Sequence, residues 1–223
     1  GPVLGRGWCV ATECAPHLII AVVVQILAVK AREKSIALDF EVASRIPEKI
    51  LSDPARLRQI VTNLVGNSIK FTETGGVKVA VKFLAETDAP QLSIAVIDTG
   101  IGISAGKLQS IFDPFVQADA SVTRRYGGTG LGLAISQKFA QALGGDIKVE
   151  SEIGKGSVFT VTIGTGPLDK VAFIEPDRAV ALGQERRHLL VVECEVPGHA
   201  PEVVGRVVGL GRDGVHHLDV ERV

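Results

Sequence analysis

The stretch Tyr126-Gly127-Gly128-Thr129-Gly130-Leu131-Gly132-Leu133 decides how the rest of the chain is read. It sets four glycines within six positions and runs straight into Ala134-Ile135-Ser136-Gln137-Lys138-Phe139-Ala140-Gln141-Ala142-Leu143. Leu131, Ile135, Phe139 and Leu143 recur at helical spacing, which predicts a helix with one apolar stripe. Glycine permits positive φ and leaves backbone N–H groups bare to an approaching anion. With Thr129 as N-cap, a glycine loop feeding a helix N-terminus reads as a phosphate cradle; the plain alternative is a flexible turn. Two familiar nucleotide motifs fail on spelling. Gly106-Lys107 is followed by Leu108 and lacks the upstream glycine of a P-loop, and Leu133 stands where the dinucleotide pattern needs its last glycine.

The chain has 223 residues, enough for one domain of about 150 residues with an appendage. A net charge of −1 argues against a nucleic-acid partner found by bulk charge. Cys9, Cys14 and Cys194 form no Cys-x-x-Cys pair, which suits a reduced, cytoplasmic setting without a disulfide framework or zinc site. The longest apolar run, Leu18 to Val29, contains Gln25 and falls short of the roughly 20 residues of a membrane span, so no membrane contact is expected from this segment. The chain opens Gly1-Pro2 with no methionine anywhere, which reads as a processed or engineered start. Residues 1–16 show no pattern and are expected to be a disordered lead. Leu18 to Lys34 is expected to be a helix, with a strand as competitor because of its β-branched content. Ile36 to Val42 alternates like a strand, and Lys49 to Ser52 reads as a second, short one.

Asp53-Pro54 opens the best-specified helix, with an acidic cap and proline at the first helical position. Leu57, Ile60, Val61, Leu64, Val65 and Ser68 form one apolar or small face. Arg56, Gln59, Asn63, Asn67 and Lys70 form a polar row at steps of three and four. Asparagine is a weak helix former, so Asn63 and Asn67 one turn apart suggest a task other than helicity. Their amide oxygens suit a hydrated Mg²⁺ with its phosphates, and Lys70 supplies a point charge for phosphate; a polar helix edge is the bland alternative. Val77 to Leu84 and Leu92 to Ile97 read as a hairpin, the second strand ending in Asp98-Thr99-Gly100-Ile101-Gly102-Ile103. A carboxylate at that strand end can accept from the exocyclic amine of adenine and would repel the carbonyl of guanine. Alternatively, Asp98 caps a helix beginning near Ser104. Phe112 and Phe115 pin the polar stretch 116–125, a candidate lid ending in Arg124 and Arg125, which either reach a γ-phosphate or are simply solvated. Gly144-Gly145 stops the glycine helix, and Asp146 to Ser151 with Ser157 to Ile163 form a closing hairpin.

Taken together, the boxes Asn63-Leu-Val-Gly-Asn67-Ser-Ile-Lys70-Phe71-Thr72, Asp98-Thr-Gly100-Ile-Gly102-Ile, Phe112-Asp-Pro-Phe115 and Gly127-Gly-Thr-Gly-Leu-Gly132-Leu resemble the ATP-binding catalytic domain of bacterial sensor histidine kinases, the Bergerat fold. Gly154-Lys-Gly156-Ser157 and Asp53-Pro-Ala-Arg56-Leu57-Arg58-Gln59 match as well, so the likeness runs from about Pro16 to Ile163. The resemblance implies an α+β fold, a two-layer sandwich with a mixed sheet packed against helices. It implies that Asp98, bordered by Gly100, Gly102 and Ile103, reads adenine. Asn67 with Asn63 would hold Mg²⁺. Lys70 and the backbone of Gly128, Thr129, Gly130, Leu131 and Gly132 would take phosphates of ATP, with Phe112, Phe115 and Arg125 contributed by the lid. Relatives that hydrolyse ATP carry a glutamate as general base where this chain has Asn63, so the amide argues for transfer to a histidine rather than to water.

The family's phospho-accepting histidine, on a helical hairpin with a characteristic acidic and Arg-Thr-Pro-like context, has no counterpart at His17, His188, His199, His216 or His217. The expectation is a catalytic module, residues 17–166, that binds Mg-ATP and acts on a separate dimerisation domain, with a response regulator or receiver domain downstream. It is expected to be cytoplasmic, including as the cytoplasmic part of a membrane-anchored sensor. A non-catalytic ATP/ADP-binding module of the same fold is the alternative. Gly164 to Asp169 reads as a boundary, and 167–223 as a linker followed by a truncated or degenerate receiver-like appendage. There His188 to Cys194, Pro201 to Leu210 and Val215 to Val220 are candidate elements.

Overall fold

The computed structural model describes residues 10–85, 89–114, 130–185, 208–211 and 214–217. Its centre is a mixed five-stranded sheet of β2 (Ala37–Val42), β5 (Gly76–Leu84), β6 (Gln91–Asp98), β8 (Gly156–Gly164) and β7 (Ile147–Glu152), in the order β2-β5-β6-β8-β7. β2 runs parallel to β5, and every other pairing is antiparallel. Side chains alternate across the pleat, so one face of the three central strands carries Val77, Val79, Val81, Leu92, Ile94, Val96, Phe159, Val161 and Ile163, all buried. Full burial of each such side chain contributes about 1.5–3 kcal/mol. Register stacks Val81, Ile94 and Val161 in one row and Val79, Val96 and Phe159 in the next.

Helices cover that face. α1 (Pro16–Glu33) is helical despite its β-branched content, because Ile19, Ile20, Val23, Val24, Leu27 and Ala31 return to one side at helical steps and are buried. It ends at Ser35, in the left-handed region at φ 57°, with the Ile36 N–H donating to the Ala31 carbonyl. α2 (Pro54–Phe71) begins as expected: Asp53 Oδ1 accepts from the N–H groups of Ala55 and Arg56, and Pro54 takes the first turn. Its face of Leu57, Ile60, Val61, Leu64, Val65 and Ser68 is buried. The C-terminal carbonyls of α2 find a donor just past the end of α1, since Lys34 Nζ lies 2.8, 2.9 and 2.7 Å from the carbonyl oxygens of Ile69, Lys70 and Thr72. A cation at that end also complements the helix dipole.

α3 (Ala105–Leu108) is a single turn after the Asp98 loop, and α4 (Gly132–Ala142) lies against α2. Two expectations for α4 are corrected. Ile135 is 40% exposed, and the buried residues are Ala134, Ser136 and Ala140, because small side chains let α4 approach α2 closely. The helix starts at Gly132 with Leu131 in the cap position and no side-chain cap, so Thr129 lies too early to cap it. The stop at Gly144-Gly145 is as expected, with the Gly145 N–H donating to the Ala140 carbonyl.

The expected boundaries also move. Within the supposed disordered lead, β1 (Thr12–Cys14) pairs antiparallel with β4 (Ile50–Ser52), and the Val10 N–H donates to Asp53 Oδ2 at 3.0 Å. Beyond Gly166, β9 (Phe173–Ile174) pairs with β3 (Ile46–Pro47), and α5 (Pro176–Glu185) packs on α1 and β2. Ile174 and Ala179 are buried in the same core, and the Phe173 ring meets Phe83 edge-on at 5.2 Å. The packed unit therefore runs from the Thr12 strand to the Glu185 helix end. Farther on, β10 (Val208–Gly211) and β11 (Gly214–His217) pair with each other, which makes two short strands of the ends of expected elements. The candidate element His188 to Cys194 lies outside the described residues. No described helix is long and apolar enough to cross a membrane.

Candidate functional site

Asp98 continues the inward-facing row of Leu92, Ile94 and Val96, so the period of the strand alone aims its carboxylate at the helical layer. It is 6% exposed. Oδ1 accepts from the Gly100 N–H at 2.9 Å and the Ser157 N–H at 3.2 Å, and Oδ2 accepts from the Ser68 hydroxyl at 3.1 Å. Burial pushes the Asp98 carboxyl above its ordinary value of 3.8, against the lowering effect of those three hydrogen bonds. A buried carboxylate with a raised titration and specific partners at a strand end is a candidate functional position. The alternative of a helix cap is excluded, because Asp98 accepts from Gly100 and the turn of α3 begins at Ala105, after Ser104.

The loop after Asp98 is fastened on both sides. The Ile101 N–H donates to the Phe71 carbonyl at the end of α2, and the Gly154 N–H donates to the Ile101 carbonyl. Ile103 N–H donates to Ser151 Oγ at 2.8 Å, placing Gly100, Gly102 and Ile103 between α2 and the β7–β8 turn. Phe112 is half-buried against the core beside the buried Ile111.

On α2 the polar row divides by its neighbours. Asn63 Nδ2 donates to Ser136 Oγ of α4 at 2.9 Å, and Asn67 Nδ2 approaches Asn63 Oδ1 at 3.4 Å. Gly132, the first residue of α4, sits so close that a Cβ there would stand 2.6 Å from Asn63 Oδ1. The N-terminus of the glycine helix is thereby brought to the amide pair. Arg56 instead lies over the Phe139 ring at 4.6 Å and donates to Gln59 Oε1, bracing α2 against α4. Lys70 Nζ stands over the Phe71 ring at 4.9 Å. Asn67 directly precedes Ser68, the residue that touches Asp98, so α2 joins the amides and the carboxylate within two turns. Phe115, Arg125, Gly128 and Thr129, and the candidate lid 116–125, lie outside the described residues; Gly130 and Leu131 are half-buried ahead of α4.

Three polar partners escaped the sequence reading. The sequence places Ser68 on a small or apolar face, Ser151 at a strand end, and Ser136 within the glycine helix without a role. A serine inside an apolar helix face is itself a signal, since its hydroxyl must find a partner when buried. His17 is 1% exposed on α1, which places its imidazole in the interior.

Comparison with known proteins gives a consistent picture. Residues 52–167 match the family model described as histidine kinase-, DNA gyrase B-, and HSP90-like ATPase. The chain is similar to the signal transduction histidine-protein kinase BarA of Escherichia coli (strain K12), 40% identical over 175 residues, covering 71% of this chain and 19% of BarA. It is also similar to the autoinducer 2 sensor kinase/phosphatase LuxQ of Vibrio vulnificus, 46% identical over 143 residues, covering 62% and 16% of the two chains. It thus spans less than a fifth of the length of these curated relatives. Among solved structures, full-length ShkA in complex with AMPPNP superposes with a TM-score of 0.60 at 33% identity, over 74% of this chain and 32% of ShkA. The nucleotide-free catalytic domain of the histidine kinase ThkA gives 0.59 at 28% identity, over 70% and 96%.

Proposed function

The chain belongs to the histidine kinase-, DNA gyrase B-, and HSP90-like ATPase family, and on that premise we propose that it is the ATP-binding catalytic unit of a two-component sensor histidine kinase. The observation that carries this reading is the buried, three-fold hydrogen-bonded Asp98 at a strand end, tied through Ser68 to the helix that bears Asn63 and Asn67. In this reading Asp98 accepts from the 6-amino group of adenine, with Gly100, Gly102 and Ile103 along the base and Phe112 and Phe115 at the edges of the lid. Lys70, Arg125 and the backbone from Gly128 to Gly132 meet the phosphates.

The donor set around α2 fits Mg²⁺. Among the described residues no three His, Cys, Asp or Glu side chains gather as a metal cage, whereas Asn63 and Asn67 offer neutral amide oxygens. Mg²⁺ retains waters and shares phosphate ligands, so a pair of amides suffices where a dedicated cage is absent. Asn63 donates an amide N–H to Ser136 Oγ, and its oxygen accepts from Asn67 Nδ2 at 3.4 Å and keeps a second lone pair, so the two amides are held together with the oxygen of Asn67 as the further donor to an ion. When bound, the ion supplies charge neutralisation on the phosphates.

Asn63 also directs the chemistry. An amide cannot take a proton from water, so hydrolysis lacks its base and the γ-phosphoryl goes to an imidazole instead. The bond from phosphorus to the β–γ bridging oxygen breaks, a P–N bond forms on the acceptor histidine, and ADP leaves. The acceptor belongs to a dimerisation domain, the phosphoryl passes on to a receiver domain or response regulator, and the work is cytoplasmic.

Supplying a separate dimerisation domain with labelled Mg-ATP tests this. Acid-labile phosphate is expected on the supplied domain, with none on this chain and no steady phosphate release. Undiminished nucleotide binding with no label on either partner would contradict it and favour a nucleotide-sensing module.

A further inference from the structure

We propose that Ser68 is a positioning residue for base selection: its hydroxyl holds the second oxygen of the Asp98 carboxylate and so sets the preference for a purine carrying a 6-amino group. The proposal rests on the reading that Asp98 meets adenine. Ser68 lies on the core face of α2 among Leu64, Val65 and Ile69, 2% exposed, where a serine is the exception in a row of hydrocarbon. A hydroxyl in that position must be satisfied locally, and its donor reaches Asp98 Oδ2 at 3.1 Å. The neighbouring Thr72 hydroxyl turns to the Ser68 carbonyl at 2.7 Å and so does not bond the carboxylate itself.

The two carboxylate oxygens are held by different kinds of group. Oδ1 takes two backbone N–H groups, from Gly100 and Ser157, donors that the main chain supplies. Oδ2 takes a side-chain hydroxyl, the contact that depends on the residue chosen at position 68. Losing the Ser68 bond leaves the carboxylate tethered at Oδ1 alone, so Oδ2 is held less firmly and the lone pair aimed at the base is less well directed. Burial already disfavours the ionised form of Asp98, and the Ser68 bond opposes that effect. Orientation and ionisation thus both favour an amine donor while Ser68 is present.

Affinities of the full chain for Mg-ATP and for the Mg complex of purine riboside triphosphate, which lacks the 6-amino group, separate this role from a structural one. In Ser68→Ala, ATP should bind about tenfold more weakly while the deaminated analogue stays within about twofold of wild type. Ser68→Thr, which keeps a hydroxyl, should restore the preference; if threonine does not fit the core, the ratio in Ser68→Ala decides alone. An equal loss for both nucleotides, or an unchanged ratio, overturns the proposal while leaving the kinase reading intact. A wild-type chain that binds neither nucleotide removes that reading and this proposal with it.

Discussion

Asp98→Asn is expected to lower the affinity for an ATP analogue by about ten- to a hundredfold, measured by titration calorimetry at neutral pH. The estimate follows from the roughly 1.5–3 kcal/mol net worth of a hydrogen bond to a charged group. The isosteric amide keeps the volume but replaces an acceptor with a group that can present N–H to the base. Acidification should mimic the substitution. Burial raises the Asp98 carboxyl above 3.8, so the ionised acceptor begins to be lost at a higher pH than for an exposed aspartate. Folding stability should respond with the opposite sign. Between the ordinary value and the raised one, the native state binds more protons at Asp98 than the unfolded chain does, so this contribution is fully present below that window and is lost as pH rises through it. Relative to Asp98→Asn, the wild-type domain should therefore gain stability and lose nucleotide affinity as pH falls. A parallel change in both would contradict the assigned role.

Gly156→Ala should strongly destabilise the fold. Gly156 lies at φ +104°, and a Cβ there would stand 1.9 Å from the Asp98 carbonyl oxygen and 2.8 Å from its carbon, both backbone atoms of the paired strand. No side chain can rotate away to relieve that contact, so the ladder between β6 and β8 must open beside Asp98. The expected loss exceeds about 3 kcal/mol, read from the urea midpoint. Gly154 provides the control within the same turn. It also has positive φ, +78°, but a Cβ there meets nothing within 4 Å. Gly154→Ala should therefore lose only the left-handed backbone term of about 1–2 kcal/mol. Equal losses at the two positions would show that backbone conformation, not the close approach to Asp98, governs this turn.

Much of the architecture was legible because its signals are local. Asp53-Pro54 announced α2 by cap chemistry, and the alternation in Val77–Val81 and Leu92–Val96 announced a sheet with one buried face. The site was legible in part for the same reason, since Asp98 shares the parity of Leu92, Ile94 and Val96. What stayed hidden depends on partners distant in sequence. β1 and β9, three and two residues long, carry no period of their own and exist through pairing with β4 and β3. The stripe drawn through Ile135 failed because α4 packs by small residues, whose weak hydrophobic signal is overridden by the large side chains beside them. Ser68 and Ser136 gave no hint of which group each would hold, because Asp98 lies 30 and Asn63 lies 73 positions away. The lid residues Phe115 and Arg125, and the glycines up to 128, lie outside the described residues and rest on the sequence reading and its resemblance.

The most direct measurement is a backbone-amide NMR titration of the chain with Mg-AMPPNP. A single cleft bounded by α2, the Asp98 loop and the start of α4 predicts saturable shifts gathered at Asn63, Asn67, Ser68, Asp98, Gly100, Gly102 and Gly132. Saturable shifts confined instead to the groove lined by Glu13, Lys49, Asp169 and Lys170, or no saturable shifts at all, would contradict it.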